Sequence, residues 1–325
     1  MKIFVTGMTG FLGDQLSEKL QRRGYQLGTL VRNVSSSDRP TAENTESMIR
    51  GEKRSGISYY YGDLTDYLTV QDALTSFKPD VIIHLGAQTS VAYSFTHILE
   101  VVNVNFIGTV NMAEAARRNL PNLKKFIFSG SVEEYGVQTK FPIREDAELR
   151  AASPYAVAKI AAEKFLRYLY DAYGFPVIIF RNANSYGRKH NHQFVIESII
   201  YQMQQGKSPI NLGDPTPIRD FVFEPDLLAA YVLAVESNNK KLFGESINIG
   251  TGMAISVKDL TNQIAKIIGY KGKIHWNSFP KRVLEIPKLQ ISNIKAKKLL
   301  KWKPQYSLLE GLKITASYYK SKNKK

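Results

Sequence analysis

An α/β fold built on a doubly wound parallel sheet is predicted for this 325-residue chain. Three observations predict it. Short β-branched apolar runs alternate with amphipathic stretches through residues 1–181. Several of those runs are continuous rather than alternating, as strands covered on both faces must be. The first run ends in a glycine-rich turn that opens a helix. Strand–helix–strand units of this kind join through right-handed crossovers into a Rossmann-type sheet.

The predicted strands are Lys2–Val5, Gln26–Val31, Ile57–Tyr61, Val81–Leu85, Lys124–Ser129 and Val177–Arg181. The helices between them are Phe11–Arg23, Leu68–Phe77, Ile98–Asn119 and Pro154–Tyr173. Beyond Arg181 the rhythm changes. Turn-rich segments at Gly187–His192, Gly213–Pro217 and Asn277–Pro280 interrupt helices near Phe194–Gln205, Pro225–Glu236 and Val257–Ile268. A short strand at Ser246–Ile249 can extend the sheet. The remainder reads as a smaller mixed α/β C-terminal lobe, woven from non-contiguous segments.

Composition narrows the class. Apolar residues make up 43% of the chain and charged residues 22%, which excludes collagen-like and wholly disordered proteins. There is no cysteine, so disulfides, thiolate catalysis and Cys-ligated zinc are impossible; no metal site is expected. No apolar run approaches the roughly 18 residues of a membrane span. The start, MKIFVTG, lacks a signal-peptide core and cleavage site. A cytoplasmic protein with no membrane partner is expected.

The net charge is +15. Residues 266–325 hold 16 Lys/Arg against Glu285 and Glu310, while residues 1–265 hold 28 basic and 27 acidic residues. The surplus is therefore C-terminal. A basic face attracts polyanions, and a solvated lysine-rich surface has the same composition.

Thr6-Gly7-Met8-Thr9-Gly10-Phe11-Leu12-Gly13 joins the first strand to the first helix. Gly7, Gly10 and Gly13 allow a tight turn, close approach to a pyrophosphate and close helix packing. Between a strand and a helix this is a dinucleotide-binding signature. The second strand ends in Val31-Arg32-Asn33, with no carboxylate before Asp38. An acid there would accept from a ribose 2′-hydroxyl, whereas arginine accommodates a 2′-phosphate. Arg32 thus favours NADP(H) over NAD(H). Gly62-Asp63-Leu64 follows the third strand, where Asp63 either accepts from the adenine amino group or caps a helix.

Tyr155 and Lys159 lie at i and i+4, on one face of the helix entered at Ser153-Pro154. A cationic Lys159 is expected to lower the Tyr155 pKa from about 10. Tyr155 then takes or gives a hydroxyl proton as hydride moves. The fifth strand runs into Ser131-Val132-Glu133-Glu134-Tyr135-Gly136, at the end of the sheet that faces a ligand crevice. Ser131 can hydrogen-bond the reacting oxygen. Glu133 is a candidate base or sugar-hydroxyl ligand, or the side chain of a solvated turn.

Together these residues resemble the extended short-chain dehydrogenase/reductase family, in its nucleotide-sugar branch. The resemblance spans nearly the whole chain. It adds His84-Leu85-Gly86-Ala87-Gln88, Asn103-Val104-Asn105 with Gly108-Thr109, Arg181 to Gly187, Arg219-Asp220-Phe221, and Lys297 to Trp302. It implies that Leu85, Gly86 and Ala87 border the cofactor, and that Gln88 and Ser90 border the sugar. It places Asn184 near the sugar diphosphate and Arg219 and Arg282 on phosphate. Val283 and Leu284 stand where relatives follow that arginine with Pro and Gly or Ser. His84 reads as a core histidine and Asn105 as a residue fixing local backbone.

The resemblance also implies domains: residues 1–181 with parts of about 220–252 for the dinucleotide, and about 182–219 with 253–325 for the nucleotide sugar. It implies a homodimer through the helices at Ile98–Asn119 and Pro154–Tyr173. For the reaction, Val132 argues against dehydration by an aspartate–glutamate pair. The run Gly130–Gly136 is close to that of GDP-4-keto-6-deoxymannose reductases. The leading expectation is an NADP(H)-dependent NDP-4-keto-6-deoxy-sugar reductase. The alternatives are an NDP-sugar 4,6-dehydratase (GDP-mannose or dTDP-glucose type) and a 4-epimerase. Rivals from other classes are a non-catalytic dinucleotide-binding module and a nucleic-acid binder using Trp276, Trp302 and Tyr306; nucleic acid is the weaker expectation because Trp302 reads as core.

Overall fold

The computed structural model describes residues 1–32, 56–187 and 192–322. Asp38 and most of the expected turn at Gly187–His192 lie outside these residues.

Six strands appear close to where the apolar runs place them: β1 (Lys2–Thr6), β2 (Gln26–Val31), β3 (Ile57–Tyr61), β4 (Val81–His84), β5 (Lys125–Ser131) and β6 (Val177–Asn182). Four short ones follow: β7 (Asn184–Tyr186), β8 (Ile210–Asn211), β9 (Ile218–Phe223) and β10 (Glu245–Ile249). A seven-stranded parallel sheet has the order β10-β6-β5-β4-β1-β2-β3. Chain order reverses beside β1 and β4, so a crevice opens at their carboxyl ends.

Both faces of the sheet are covered. Ile3, Val5, Ile83, Ile127, Ile178 and Phe180 pack on one side. Phe4, Ile82, Phe126, Phe128 and Ile179 pack on the other. Alternate residues of one strand thus serve opposite cores, and a continuous apolar run results. A third core gathers Tyr186, Ile199, Phe221, Leu260 and Leu312. There β9 pairs with β7, with Ala254–Ser256 and with Lys288–Leu289. Among the described residues no helix is long and apolar enough to cross a membrane, and no cluster of acids and histidines could hold a metal ion.

The expected helix Ile98–Asn119 is interrupted. Ile98–Val102 and Gly108–Asn119 are α-helical, and Asn103–Ile107 between them is a π turn. The wide turn carries buried Asn105, whose amide bonds the chain after β4 instead of facing solvent. Such turns gather at functional sites. The helix after β3 starts at Tyr67, capped by Asp66 rather than Asp63.

Trp302 is 1% exposed, and its Nε1 donates to the Asp226 carbonyl at 2.8 Å. It belongs to the core, not to a stacking surface. Trp302→Ala is expected to cost about 3–5 kcal/mol. A urea titration checks this; a midpoint unchanged from wild type would mean that Trp302 is not a packing residue.

Candidate functional site

The glycine-rich turn is shaped by contact between two backbones. Gly7 has φ +70°, and a Cβ there would stand 2.8 Å from the Gly86 nitrogen. At Gly13 a Cβ would lie 2.1 Å from the Gly7 carbonyl oxygen. A side chain at Gly7 would push this turn away from the turn after β4, and one at Gly13 would push the first helix away from its own leading turn. The Gly10 N–H closes the turn on the Gly7 carbonyl at 3.0 Å. The helix at Phe11–Gln21 has no side-chain cap, so its leading amides face the crevice, as a pyrophosphate requires.

A buried chain of hydrogen bonds fixes this seam. Gly86 N–H donates to Thr6 Oγ1 at 2.9 Å, and Thr6 Oγ1 lies 2.9 Å from His84 Nδ1. His84 Nε2 lies 3.1 Å from Thr109 Oγ1, which donates to the Asn105 carbonyl at 2.7 Å. Thr109 has given its proton away, so it must accept from His84 Nε2–H. Nδ1 then accepts from Thr6. The ring is neutral: burial, with Lys159 nearby, lowers His84 to about 3. Asn105 continues the chain, accepting from Gln88 N–H at 2.7 Å and donating to the Gln88 carbonyl at 2.9 Å.

Along the crevice runs a cleft of about 890 Å³. Every residue expected to bind the dinucleotide lines it, from Gly7 through Thr9, Gly10, Phe11, Leu12 and Gly13 to Leu85, Gly86 and Ala87. Arg32, exposed at the end of β2, and Asp63 and Leu64 beyond β3 complete that side. Asp63 Oδ1 accepts from Thr65 N–H at 2.9 Å and Thr65 Oγ1 at 2.8 Å, so it holds a turn as well as lining the cleft.

Ser131, Glu133, Tyr155 and Lys159 meet in the middle. Ser131 ends β5 and caps the 3-10 turn Val132–Tyr135; its Oγ accepts from Glu133 N–H at 3.2 Å. The helix Pro154–Tyr173 is capped by Ser153, whose Oγ accepts from Ala156 N–H. It turns Tyr155 and Lys159 towards the strand ends. Tyr155 stands beside Ser131, whose side chain favours ionisation of the phenol. Lys159 Nζ donates to the Ser129 carbonyl at 2.7 Å and sits 4.8 Å over the Phe128 ring.

The electrostatics correct one expectation. Tyr155 is held above its ordinary pKa, not below it: burial raises it, the Ser131 side chain opposes the rise, and Glu134 and Glu133 add to it. Desolvation of the phenolate outweighs the stabilisation expected from Lys159, whose ammonium is directed at a carbonyl. Burial also lowers Lys159, to about 8, with Glu134 acting against the fall. At neutral pH the pair is a phenol beside an ammonium.

Gln88 and Ser90 line the far side. Ser90 caps the turn Val91–Ser94, its Oγ accepting from Tyr93 N–H at 3.2 Å. Asn184 and Arg282 line the same region. Arg219 is not among the lining residues; it is 6% exposed and donates to Glu285 Oε1 at 2.7 Å. Among the lining residues to which sequence reasoning gave no role are Glu100 and Asn182. Glu100 accepts from the Tyr93 hydroxyl at 2.5 Å. Asn182 donates to Ser129 Oγ at 3.0 Å and to the Tyr231 hydroxyl at 2.9 Å. The Oδ1 atoms of Asn182 and Asn184 are buried with no hydrogen-bond partner among the described residues. Unmatched acceptors at a cleft wall are what a ligand's N–H or O–H groups satisfy.

Glycine contacts too close for side chains, an arginine at the end of β2 and unmatched acceptors fit a nicotinamide dinucleotide. Fold and cleft together define an extended short-chain dehydrogenase/reductase. The chain belongs to the family described as GDP-mannose 4,6 dehydratase, whose pattern matches residues 4–315. The UDP-glucose 4-epimerase of Mycolicibacterium smegmatis is 32% identical, over 99% of this chain and all of that one. The human dTDP-D-glucose 4,6-dehydratase is 27% identical, over 98% of this chain and 90% of that one. Among solved structures, Thermotoga maritima UDP-glucose 4-epimerase with UDP-glucose has TM-score 0.87 at 30% identity, covering 99% of this chain and all of the other. Bacillus cereus UDP-glucuronic acid 4-epimerase with UDP-glucuronic acid and NAD has TM-score 0.87 at 27% identity, covering 99% of each. The chain is thus a member of a family of NAD-dependent nucleotide-sugar epimerases and dehydratases.

The neutral histidine gives a pH prediction. Its folded pKa of about 3 lies below the unfolded value of about 6.5. His84 therefore adds stability above the unfolded value, and that share is lost as pH falls from there towards the folded value. In His84→Gln the acid fall of the urea midpoint across that window should be shallower. An unchanged slope would mean that His84 titrates normally in the folded protein.

Proposed function

We propose that this protein transfers hydride at C4 of a nucleoside-diphosphate hexose, and that its net reaction is reduction of a 4-keto-6-deoxy sugar. The observation that carries it is Tyr155, a buried phenol beside Ser131 at the strand ends. Held above its ordinary pKa, the phenol is protonated at neutral pH and so carries the proton that a reduction needs. A bound nicotinamide dinucleotide supplies the hydride. Tyr155 gives its proton to O4 as the ketone becomes an alcohol, and Ser131 donates to the same oxygen. Lys159, cationic below about 8, stabilises the phenolate left behind. Glu133 accepts from a sugar hydroxyl. Val132 is 2% exposed and packed in the core, so the position offers no acid to expel a 6-hydroxyl. Arg32 on the cleft rim supports a 2′-phosphate and so NADPH.

A second net reaction, 4-epimerisation, is favoured by the epimerases among the relatives. It uses the same groups, with Tyr155 first taking a proton from O4. The two differ in products. With NADPH and NDP-4-keto-6-deoxy sugars, the reductase consumes NADPH stoichiometrically. With intact UDP-hexoses, an epimerase interconverts C4 isomers with no net change in dinucleotide. Tyr155→Phe should slow either by about 10²–10⁴-fold. Full turnover by that variant would reject the assigned chemistry.

The lobes follow the expected division in this proposal, except that residues 286–302 are assigned to the dinucleotide side, since Ile286, Leu289, Ile291, Leu300 and Trp302 pack in its core. Asn184 and Arg282 hold the sugar diphosphate, and Arg219 supports that wall through Glu285. A homodimer is proposed through the helices at Ile98–Val102 and Pro154–Tyr173. Leu99 is 80% exposed there and Val157 53%, and Ile98 and Tyr168 of the same two helices are exposed as well. Large apolar side chains left exposed on two packed helices support an interface. Sedimentation should give a dimer for the wild type and a monomer for Leu99→Glu/Val157→Glu; a monomeric wild type would reject it.

A further inference from the structure

Two carboxylates lie beneath the cleft and only one is fully partnered. Glu134 is completely buried and Glu163 nearly so. Glu163 Oε1 accepts from Arg181 Nη2 at 2.5 Å and from Ser246 Oγ at 2.8 Å, and its Oε2 accepts from Arg181 Nε at 3.0 Å. Arg181 spends its remaining reach on the Tyr135 hydroxyl and the Glu145 carbonyl. It lies 4.0 Å from Glu134 Oε2, too far for a hydrogen bond.

Glu134 Oε1 accepts from Ser131 N–H at 2.6 Å. Its Oε2 has no donor among the described residues. Glu163 is the nearby acid whose charge opposes ionisation of Glu134. Ionised carboxylates are acceptors only, so two neighbouring carboxyls can bond each other only if one of them carries a proton. Glu163 has three donors, two of them from the Arg181 guanidinium; Glu134 has one amide. An ionised Glu134 would be a buried charge without a matched partner, which is costly.

We propose that Glu134 is a neutral carboxylic acid that donates from Oε2 to Glu163, and that it acts as a positioning residue for Ser131 and Tyr155. Its Oε1 holds the backbone of Ser131, which stands beside Tyr155. Gly130 makes the reach possible, since a Cβ there would stand 2.8 Å from that oxygen. The environment agrees. Burial and Glu163 raise the Glu134 carboxyl well above the usual range, against Arg181 and the Ser131 N–H. For Glu163 burial acts upward too, but Arg181 outweighs it and keeps the group below its ordinary value.

Neutrality matters because of what faces Glu134. Tyr155, Lys159 and Glu163 face it from one helix, Arg181 from β6, and Ser131 and Glu133 flank it in sequence. A negative Glu134 would push Tyr155 further from ionisation. Holding a proton, it fixes Ser131 without that penalty. No proton leaves Glu134 during turnover. The positioning role rests on Tyr155 as the acid/base group; the protonation state does not.

Infrared difference spectra of the full-length protein at pH 8, wild type minus Glu134→Gln, read the protonation directly. Loss of a carboxylic-acid carbonyl band in the variant is expected. Loss of a carboxylate band instead would overturn the proposal. Glutamine keeps both an acceptor for Ser131 and a donor for Glu163, so Glu134→Gln should retain turnover within about twofold and an unchanged pH profile. Glu134→Leu keeps neither, and its kcat should fall about tenfold with KM little changed. Gln as damaging as Leu, or Leu without effect, would overturn the positioning role. A wild type with no hydride transfer on any nucleotide sugar would reject the proposed function and leave the infrared result standing.

Discussion

The site depends on one seam, the join between the ends of β1 and β4. There Thr6, His84, Thr109 and Asn105 form a continuous chain of hydrogen bonds that ends on the Gln88 backbone. Burial keeps the His84 ring neutral. The Thr109 proton is already committed to a carbonyl, and that constraint puts the hydrogen of the ring on Nε2. It also fixes the distance between the two strand ends, where Gly7 and Gly86 touch. A charged histidine would break the order of donors and acceptors and loosen both turns together.

From that seam the cleft is assembled by the sheet. The carboxyl ends of β4, β5 and β6 deliver Gln88, Ser131 and Asn182 to one line. The Pro154–Tyr173 helix lays Tyr155, Lys159 and Glu163 along one face, four residues apart. The three titratable groups step from cleft to core, and burial governs each. It raises the phenol and lowers the ammonium, while Arg181, helped by Ser246, holds Glu163 below its ordinary value against burial. Desolvation is the larger force here because low-dielectric surroundings penalise any charge without a direct partner.

Two arginines near the far wall of the cleft share one acid. Arg219 and Arg282 both turn towards Glu285, one of the two acids in the basic C-terminal region. The +15 of the chain is therefore not concentrated in the cleft. Most of it lies on exposed lysines such as Lys297, Lys298, Lys301 and Lys303 around the core residue Trp302.

Much of this was legible in the sequence. Period and composition determined the strands through β6, because a buried parallel strand needs an unbroken apolar run. The glycine spacing determined the dinucleotide turn, because no other residue fits where two backbones touch. The Tyr155–Lys159 spacing put both side chains on one helix face. Other features needed the fold. The π turn at Asn103–Ile107 exists because Asn105 reaches a segment 17 residues away, and local propensity contains no trace of that pull. The short strands around β9 are two to three residues apart from β9 itself, too brief for any periodic signal. The direction of the Tyr155 shift was misjudged because spacing reveals a neighbouring charge and does not reveal burial. Glu134 stands in the sequence only as one residue of the run Ser131–Gly136, with no role attached. Only the tertiary structure places it against Glu163, since hydrogen bonding and desolvation depend on three-dimensional neighbours that a linear pattern does not encode.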